Sequence, residues 1–456
     1  MNKTFIDDTI VGISTSIGRN AVSIIRLSGN ESINIVNKIF VGKNLEKVPT
    51  HTIHYGHIIN HQTNEVIDEV LVSVFRTPKT YTREDVVEIN CHGGSLATKL
   101  ILNEVVLLGA RIANEGEFTK RAFLNGRIDL TKAEAVMDII DAESKGALTV
   151  ANQGLNGRIR NKIEELRQQL LEIITKIYVN IDYPEYDDLE ELTHNELKPI
   201  MEKVLNEVNI LLNDSTIGKR IKDGIDTVIV GKPNVGKSSL LNALLDDDRA
   251  IVTPIPGTTR DIVEAKLNLG TYVLNLIDTA GIRDTNDFVE KIGVKKSIEK
   301  LNKADFVLMI FDGNKKLEKE DLELMDDIKD KKHLFIVNKG DLEQLIEIEQ
   351  IESPVIVSTL DKESIKYLEK KIKEVIFNKE IEIDKTIYIT NTRQIELLKT
   401  TKDALNKALE DISNYQFVDL IQISINEAYE SLSEILGDVK DTEVIDTLFK
   451  NFCLGK

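Results

Sequence analysis

Four apolar, β-branched runs in the first 118 residues, TIVGIS, AVSIIRLSG, VLVSVF and VVEINCHGG, are bounded by turn residues and predict strands. One stretch after them, around Ser95–Leu108, takes the helical period instead, so this part reads as α+β. From Thr119 to Ile221 the spacing becomes helical throughout. Leu197, Ile200, Val204, Val208, Leu211 and Leu212 recur at i, i+3, i+4 and i+7, which puts them on one buried helix face. Tyr183-Pro184 and the acidic run behind it break the block into two long helices, because proline has no amide hydrogen for a helix interior. Residues 222–377 alternate short apolar strands with helical stretches, and over 390–452 the helical period returns, as at Ile395, Leu398, Ala404 and Leu409.

Helical blocks on both sides of a complete α/β segment predict an insertion, tolerated when the inserted domain's ends lie close together. The expected fold class is therefore multidomain, α/β with an all-α part: an N-terminal α+β domain (1–118), a discontinuous helical domain (119–221 and 378–456) and an inserted Ras-like P-loop domain (222–377). At 456 residues the chain is too long for one domain, and no internal repeat is visible.

The inserted segment carries the clearest chemistry. GKPNVGKSS, residues 231–239, follows the apolar Thr227–Val230 and precedes the helix-forming LLNALL, the context a phosphate-cradling loop requires. Asn234, Val235, Gly236, Lys237, Ser238 and Ser239 would wrap the phosphates, Lys237 reaching the β- and γ-phosphates and Ser238 holding Mg²⁺. Thr253, Pro254, Ile255, Pro256, Gly257, Thr258 and Thr259 read as a switch whose Thr259 hydroxyl reaches Mg²⁺ when a γ-phosphate is present. The strand VLNLI runs into Asp278, Thr279, Ala280 and Gly281, where a carboxylate can support Mg²⁺ and the Gly281 amide can sense the γ-phosphate. After the strand Phe306–Asp312, HLFIVNKGD supplies Asn338, Lys339 and Asp341. That carboxylate accepts hydrogen bonds from the guanine N1–H and exocyclic amine, a pattern adenine lacks. Pro354–Val357 is a further strand, ending in Ser358-Thr359 beneath the base. Five motifs in this order predict a GTP-binding domain using GTP and Mg²⁺.

Ile282 stands where small signalling GTPases carry a water-orienting glutamine, so another group must orient the water. No arginine finger can be assigned within the chain. Asn234 offers a carbonyl oxygen near the phosphates, where a monovalent cation could replace the missing positive charge. Asparagine also tolerates tight turns, which accounts for the residue equally well.

Net charge is −18, which disfavours non-specific nucleic-acid binding; an RNA partner would need a local basic patch or a second protein. Two cysteines give no disulfide framework and fit a reducing cytoplasm. MNKTFIDDTI lacks the basic and apolar regions of a signal peptide, and no apolar run approaches the roughly 20 residues of a membrane span. His51, His54, His57 and His61 lie close in sequence but on strand and turn, so no shared face and no metal site are expected. Cys91 reads as a small buried residue.

The inserted domain, the N-terminal GRNAVSIIRLSG and YTREDVVEINCHGG, and the terminal FCLGK together resemble the bacterial tRNA-modification GTPase family MnmE (TrmE), over essentially the whole chain. The resemblance implies that the N-terminal domain binds tetrahydrofolate and dimerises. It implies work with the FAD-containing partner MnmG, in a heterotetramer or larger complex. Together they would install a carboxymethylaminomethyl or aminomethyl group on C5 of the wobble uridine of certain tRNAs, with 5,10-methylene- or 5-formyl-tetrahydrofolate as one-carbon source. GTP hydrolysis would be accelerated by K⁺ and by approach of two G domains. Carried onto this chain, K⁺ contacts fall on Asn234, Thr253, Ile255 and Thr258, and the Mg²⁺ ligands on Ser238 and Thr259. The water-orienting acid falls on Glu290, folate contacts on Arg26, Glu88, Arg127 and Lys456, and an important cysteine on Cys453. Gly340 departs from the alanine frequent in NKxD, without facing a base edge. The competing reading is a regulatory GTPase of ribosome assembly with non-catalytic flanking domains.

Overall fold

A computed structural model describes residues 8–182, 197–244, 263–277, 304–377, 383–414, 418–438, 449–450, 452 and 455. The chain divides into two compact units, Met1–Met137 with Ser433–Lys456, and Asp138–Leu432.

The first unit is built on a seven-stranded sheet. Its elements are β1 (Ile10–Ile13), β2 (Val22–Ser28), α1 (Ser32–Asn37), β3 (Phe40–Val41), β4 (Thr52–Ile59), β5 (Val66–Phe75), β6 (Val86–His92), α2 (Ser95–Leu107), β7 (Arg111–Ile112) and α3 (Glu117–Leu124), in spatial order β3-β4-β5-β6-β2-β1-β7. The period-2 pattern decides which face is buried. Ile25, Leu27, Val72, Val74, Val87 and Ile89 point inward against Ile33 and Val36 of α1 and Ile101 and Val105 of α2. The intervening residues of β2 and β6 face the other way, and there the antiparallel register sets Arg26 directly opposite Glu88. The four predicted strands and the predicted helix are all present. β3 and β7 have two residues each, too few to show a period.

α3 is fixed by an ion network. Arg121, 1% exposed, reaches Asp8 at 2.7 Å, Glu117 at 3.1 Å and Glu84 at 3.2 Å. Burial alone would raise the Glu117 carboxyl, but hydrogen bonds from Arg111, the Asn114 amide and Arg121 hold it below the usual carboxylate range. This network seats Phe118 under the guanidinium of Arg26, 5.8 Å from the ring centroid. Cys91 is buried, as expected. His54 and His57 sit on β4 at odd spacing, and no metal-ligand cluster occurs among the described residues.

α4 (Leu130–Asp141) and α12 (Val418–Leu436) straddle the division between the units. The second unit continues with α5 (Lys145–Leu155), α6 (Arg158–Asp182) and α7 (Lys198–Asp223). Leu197, Val204, Val208 and Leu211 are buried as their spacing requires; Met201 joins them, while Ile200 and Leu212 are half-buried. The α/β segment follows: β8 (Ile225–Val230), α8 (Lys237–Leu244), β9 (Val263–Asn268), β10 (Val273–Ile277), β11 (Phe306–Asp312), α9 (Lys319–Ile328), β12 (His333–Asn338), β13 (Val355–Ile356) and α10 (Lys362–Phe377). The sheet order is β13-β12-β11-β8-β10-β9, parallel except for the β9–β10 hairpin. Every residue of β11 is buried, as suits a central parallel strand covered on both faces. α11 (Thr392–Ser413) then packs along α7. Helices from before and after the α/β segment thus form one discontinuous helical layer.

The β9–β10 hairpin is anchored to the start of α5. Asn268 Nδ2 donates to the Glu143 carbonyl at 2.6 Å, Lys266 Nζ meets the Glu143 carboxylate at 2.6 Å, and the Lys145 amide donates to Gly270 O at 2.9 Å. The approach is so close that a Cβ on Gly146 would lie 1.9 Å from Thr271 O. Tyr272, 1% exposed, follows at the hairpin and packs edge-on to Phe377 at 5.1 Å.

Candidate nucleotide site and a second cavity

The phosphate loop leaves β8 at Gly231 and enters α8 at Lys237, so the amides at the start of α8 face the loop. Its path depends on positive φ at three residues: Gly231 (149°), Asn234 (65°) and Gly236 (93°). Glycine takes such angles freely and asparagine more readily than other residues. The turn therefore explains Asn234 through its backbone, while its exposed side chain leaves the oxygen accessible. Lys237 Nζ folds back onto the Gly231 and Lys232 carbonyls at 2.6 and 2.8 Å. Burial pushes this ammonium below the usual lysine range, so an arriving polyphosphate would meet a cation short of charge compensation.

The residues expected to read guanine sit at the end of β12. Asn338 is 2% exposed and its Nδ2 donates to Val235 O at 2.9 Å, tying this loop to the phosphate loop. Its Oδ1 is buried without a hydrogen-bond partner among the described residues. Lys339 has φ 63° and pairs with Asp312 at 2.7 Å. Asp341 Oδ1 accepts from Ser358 Oγ at 2.7 Å, and the Gly340 amide donates to Val357 O at 2.9 Å, which joins the base loop to the one after β13. A Cβ on Gly340 would stand 2.9 Å from Ile356 Cγ2, so glycine here relieves a crowded contact with β13.

The structure thus brings together Asn234, Val235, Gly236, Lys237, Ser238, Ser239, Asn338, Lys339 and Asp341 at the carboxyl ends of parallel strands, where ligands bind in doubly wound sheets. Their donor set fits a guanine nucleotide. The expected switch, Thr253–Thr259, and the run Asp278–Gly281 lie outside the described residues, as do Glu290, Cys453 and Lys456. Of the two expected Mg²⁺ ligands only Ser238 is described, near the start of α8. Asp312 was not singled out from the sequence, although a carboxylate closing a wholly apolar strand is the signal that finds it. Lys232 was also missed. It bridges the phosphate loop to the start of α9 through Glu318 at 2.6 Å and Asp321 at 2.8 Å.

The first unit holds a cavity of about 700 Å³, lined by Arg26, Glu88, Phe75, Tyr81 and Arg127 among others. Arg26 Nε donates to Glu88 Oε1 at 2.8 Å, with both side chains about a fifth exposed. Arg127 lies over the Tyr81 ring at 4.8 Å and donates to its carbonyl at 3.1 Å. The Gly455 carbonyl accepts from Ser14 Oγ at 3.1 Å and from Arg26 at 3.5 Å, so the chain end reaches the same guanidinium. Three of the four residues assigned to folate therefore line one cavity. A carboxylate for a heterocycle's donor edge, aromatic walls and cations for carboxylates fit a folate in size and chemistry.

The MnmE helical domain family matches residues 130–453, and the GTP-binding protein TrmE N-terminus family matches residues 9–127. The tRNA modification GTPase MnmE of Oceanobacillus iheyensis is 47% identical over 455 residues, covering 98% of this chain and 99% of its own. The tRNA modification GTPase MnmE of Geobacillus thermodenitrificans is 49% identical over 458 residues, covering 98% and 99%. Among solved structures, Aquifex aeolicus Era bound to GDP·AlF4− overlaps 40% of this chain and 66% of its own at 25% identity and TM-score 0.26.

Proposed function

The chain belongs to the MnmE family of tRNA modification GTPases, and from that premise we infer that it hydrolyses GTP in the service of tRNA modification. The observation that carries the nucleotide part is the Asn338–Val235 hydrogen bond, which makes phosphate loop and guanine loop one structure. Lys237 supplies positive charge to the β- and γ-phosphates, Asp341 selects guanine, and Mg²⁺, when bound at Ser238, neutralises charge developing on the phosphate oxygens. Because the family matches span the flanking segments as well, the ribosome-assembly reading with passive flanks gives way to this one.

The finer reading follows the family. A K⁺ ion near Asn234 substitutes for an arginine finger, Glu290 orients water in place of the missing glutamine, and two G domains of a homodimer meet during hydrolysis. The N-terminal cavity holds tetrahydrofolate, MnmG supplies the flavin, and the product is a wobble uridine substituted at C5. The residues at hand support a route between hydrolysis and the rest of the protein. In the chain, β9 follows the Thr253–Thr259 stretch and β10 leads into Asp278–Gly281, while the hairpin joining them is fastened to α5. A change at either nucleotide-sensing stretch would pull on the helical layer.

Glu290→Ala tests the assigned acid. Removing a group that orients or deprotonates the nucleophile typically costs about 10²–10⁴-fold in rate. Single-turnover hydrolysis is expected to fall by about 100-fold or more, with GTP affinity held within about threefold, because the acid touches water and not the nucleotide. Unchanged turnover with normal binding would remove Glu290 from the mechanism.

A further inference from the structure

We propose that the N-terminal cavity recognises a folate by its polyglutamate tail as well as its ring, with Lys79 and Arg83 as the tail's cationic contacts. This rests on the folate reading above and deepens it, by naming which folates the site prefers.

Charge at the cavity is unbalanced. Arg26, Lys79, Arg83 and Arg127 all line it, and Glu88 is the one carboxylate among the lining residues. That carboxylate is already paired with Arg26. In a chain of net charge −18, four cations around one concave surface call for an anionic ligand. The inner cations are engaged: Arg26 by Glu88, Arg127 by the Tyr81 ring and carbonyl. Lys79 is exposed and makes no hydrogen bond or ion pair among the described residues. Arg83 is exposed, and its side chain's one hydrogen bond, to the Asn125 carbonyl at 2.9 Å, leaves most of its guanidinium donors available.

The sheet register orders these groups along the cavity. Glu88 lies two residues along β6 from Val86, about 7 Å at the rise of a strand. Val86 pairs with Phe75, and the loop carrying Lys79 and Arg83 spans those two residues, so it forms the rim while Arg26 and Glu88 lie deeper. The rim is also firmly built. Thr77 Oγ1 donates to Arg83 O at 2.8 Å, Thr80 Oγ1 to Glu84 O at 2.7 Å, and the Thr77 amide to Asp85 Oδ1 at 2.8 Å. These bonds hold Arg83 at φ 59°, a conformation unfavourable for a side chain with a Cβ, as expected where a site fixes a residue's direction. A ring seated at Glu88 sends its glutamate tail outward past this rim. Each additional γ-linked glutamate adds one carboxylate there.

The test is calorimetric titration of the full chain with monoglutamyl and triglutamyl 5-formyl-tetrahydrofolate, repeated between about 50 and 500 mM KCl. We expect the triglutamyl form to bind about fivefold tighter or more at low salt, the scale of two exposed ion pairs, and the advantage to shrink as salt screens them. The Lys79→Gln/Arg83→Gln double variant should bind both forms equally. Equal binding by the parent chain, a salt-independent advantage, or a preference that survives in the double variant overturns the inference while leaving the folate site standing. Failure of both forms to bind the parent chain overturns the folate reading, and the inference with it.

Discussion

Asp341→Asn will weaken GTP binding by about 100-fold and turn the site toward xanthosine triphosphate, since the group lost makes charge-assisted hydrogen bonds worth about 1.5–3 kcal/mol. A carboxylate only accepts, and guanine presents two donors to it, N1–H and the exocyclic amine. Asparagine sets an NH₂ against one of those donors, so a bond becomes a repulsive contact between two hydrogens. Xanthine carries a carbonyl where guanine carries the amine, and that oxygen can accept from the new amide. The substitution should leave the loop in place. The amide oxygen of the new side chain can still accept from Ser358 Oγ, as the Asp341 carboxylate does at 2.7 Å, and the Gly340–Val357 backbone bond is untouched. Fluorescent GTP and xanthosine triphosphate analogues, titrated against both proteins, check the exchange. Unaltered GTP affinity would mean that the base is read elsewhere.

The second large effect is expected at Gly236→Ala. The new methyl would lie 2.1 Å from Asn338 Nδ2, far inside contact distance, at a residue whose φ is 93°. Asn338 would have to leave Val235 O, and at 2% exposure it has no water to turn to. An unsatisfied buried polar group costs about 1–3 kcal/mol. A left-handed backbone at a residue with a Cβ adds about 1–2 kcal/mol. For about 3 kcal/mol in total, the melting temperature of the inserted segment, residues 222–377, falls by about 6–12 °C. Nucleotide binding should fall much further, because phosphate loop and guanine loop lose their common member. Adding Asn338→Ala removes the clash, so the double variant should be less destabilised than the sum of the single effects. Simple additivity would show that the two residues do not meet.

What was legible in the sequence was what the chain builds locally. A phosphate loop is one turn between a strand and a helix, so GKPNVGKSS carries its own geometry, as does NKGD at the end of an apolar strand. Five of the six strands described in the inserted segment were bounded closely for the same reason, and β9 was not named. The N-terminal cavity was legible only through family resemblance. Arg26 and Glu88 meet because the register of β2 against β6 sets them opposite each other across 62 residues of chain, and no local pattern encodes that pairing. The pairing of Asp312 was hidden, although the residue itself stands out at the end of its strand, because its partner Lys339 lies just past the end of the neighbouring strand. The anchoring of the β9–β10 hairpin was invisible too. Gly146 reads as an ordinary glycine near a helix start, and only its approach to Thr271 shows why a side chain is excluded there. On α7 the periodicity was right but the centre of the stripe was off. Met201 is buried and Ile200 only half so, because the buried arc depends on all the helices packed against α7, and these include α11 from far along the chain as well as α5 and α6.

The most direct measurement is steady-state GTP hydrolysis by the full chain in KCl and in NaCl at matched ionic strength. A cation completing the charge around the γ-phosphate should be worth at least about tenfold in rate, in line with the loss of single electrostatic groups at other active sites. Hydrolysis about tenfold or more faster in K⁺, with GTP affinity alike in the two salts, is the predicted result. Equal and slow rates in both would contradict a cation-assisted GTPase and leave this chain waiting for an activator supplied by another protein.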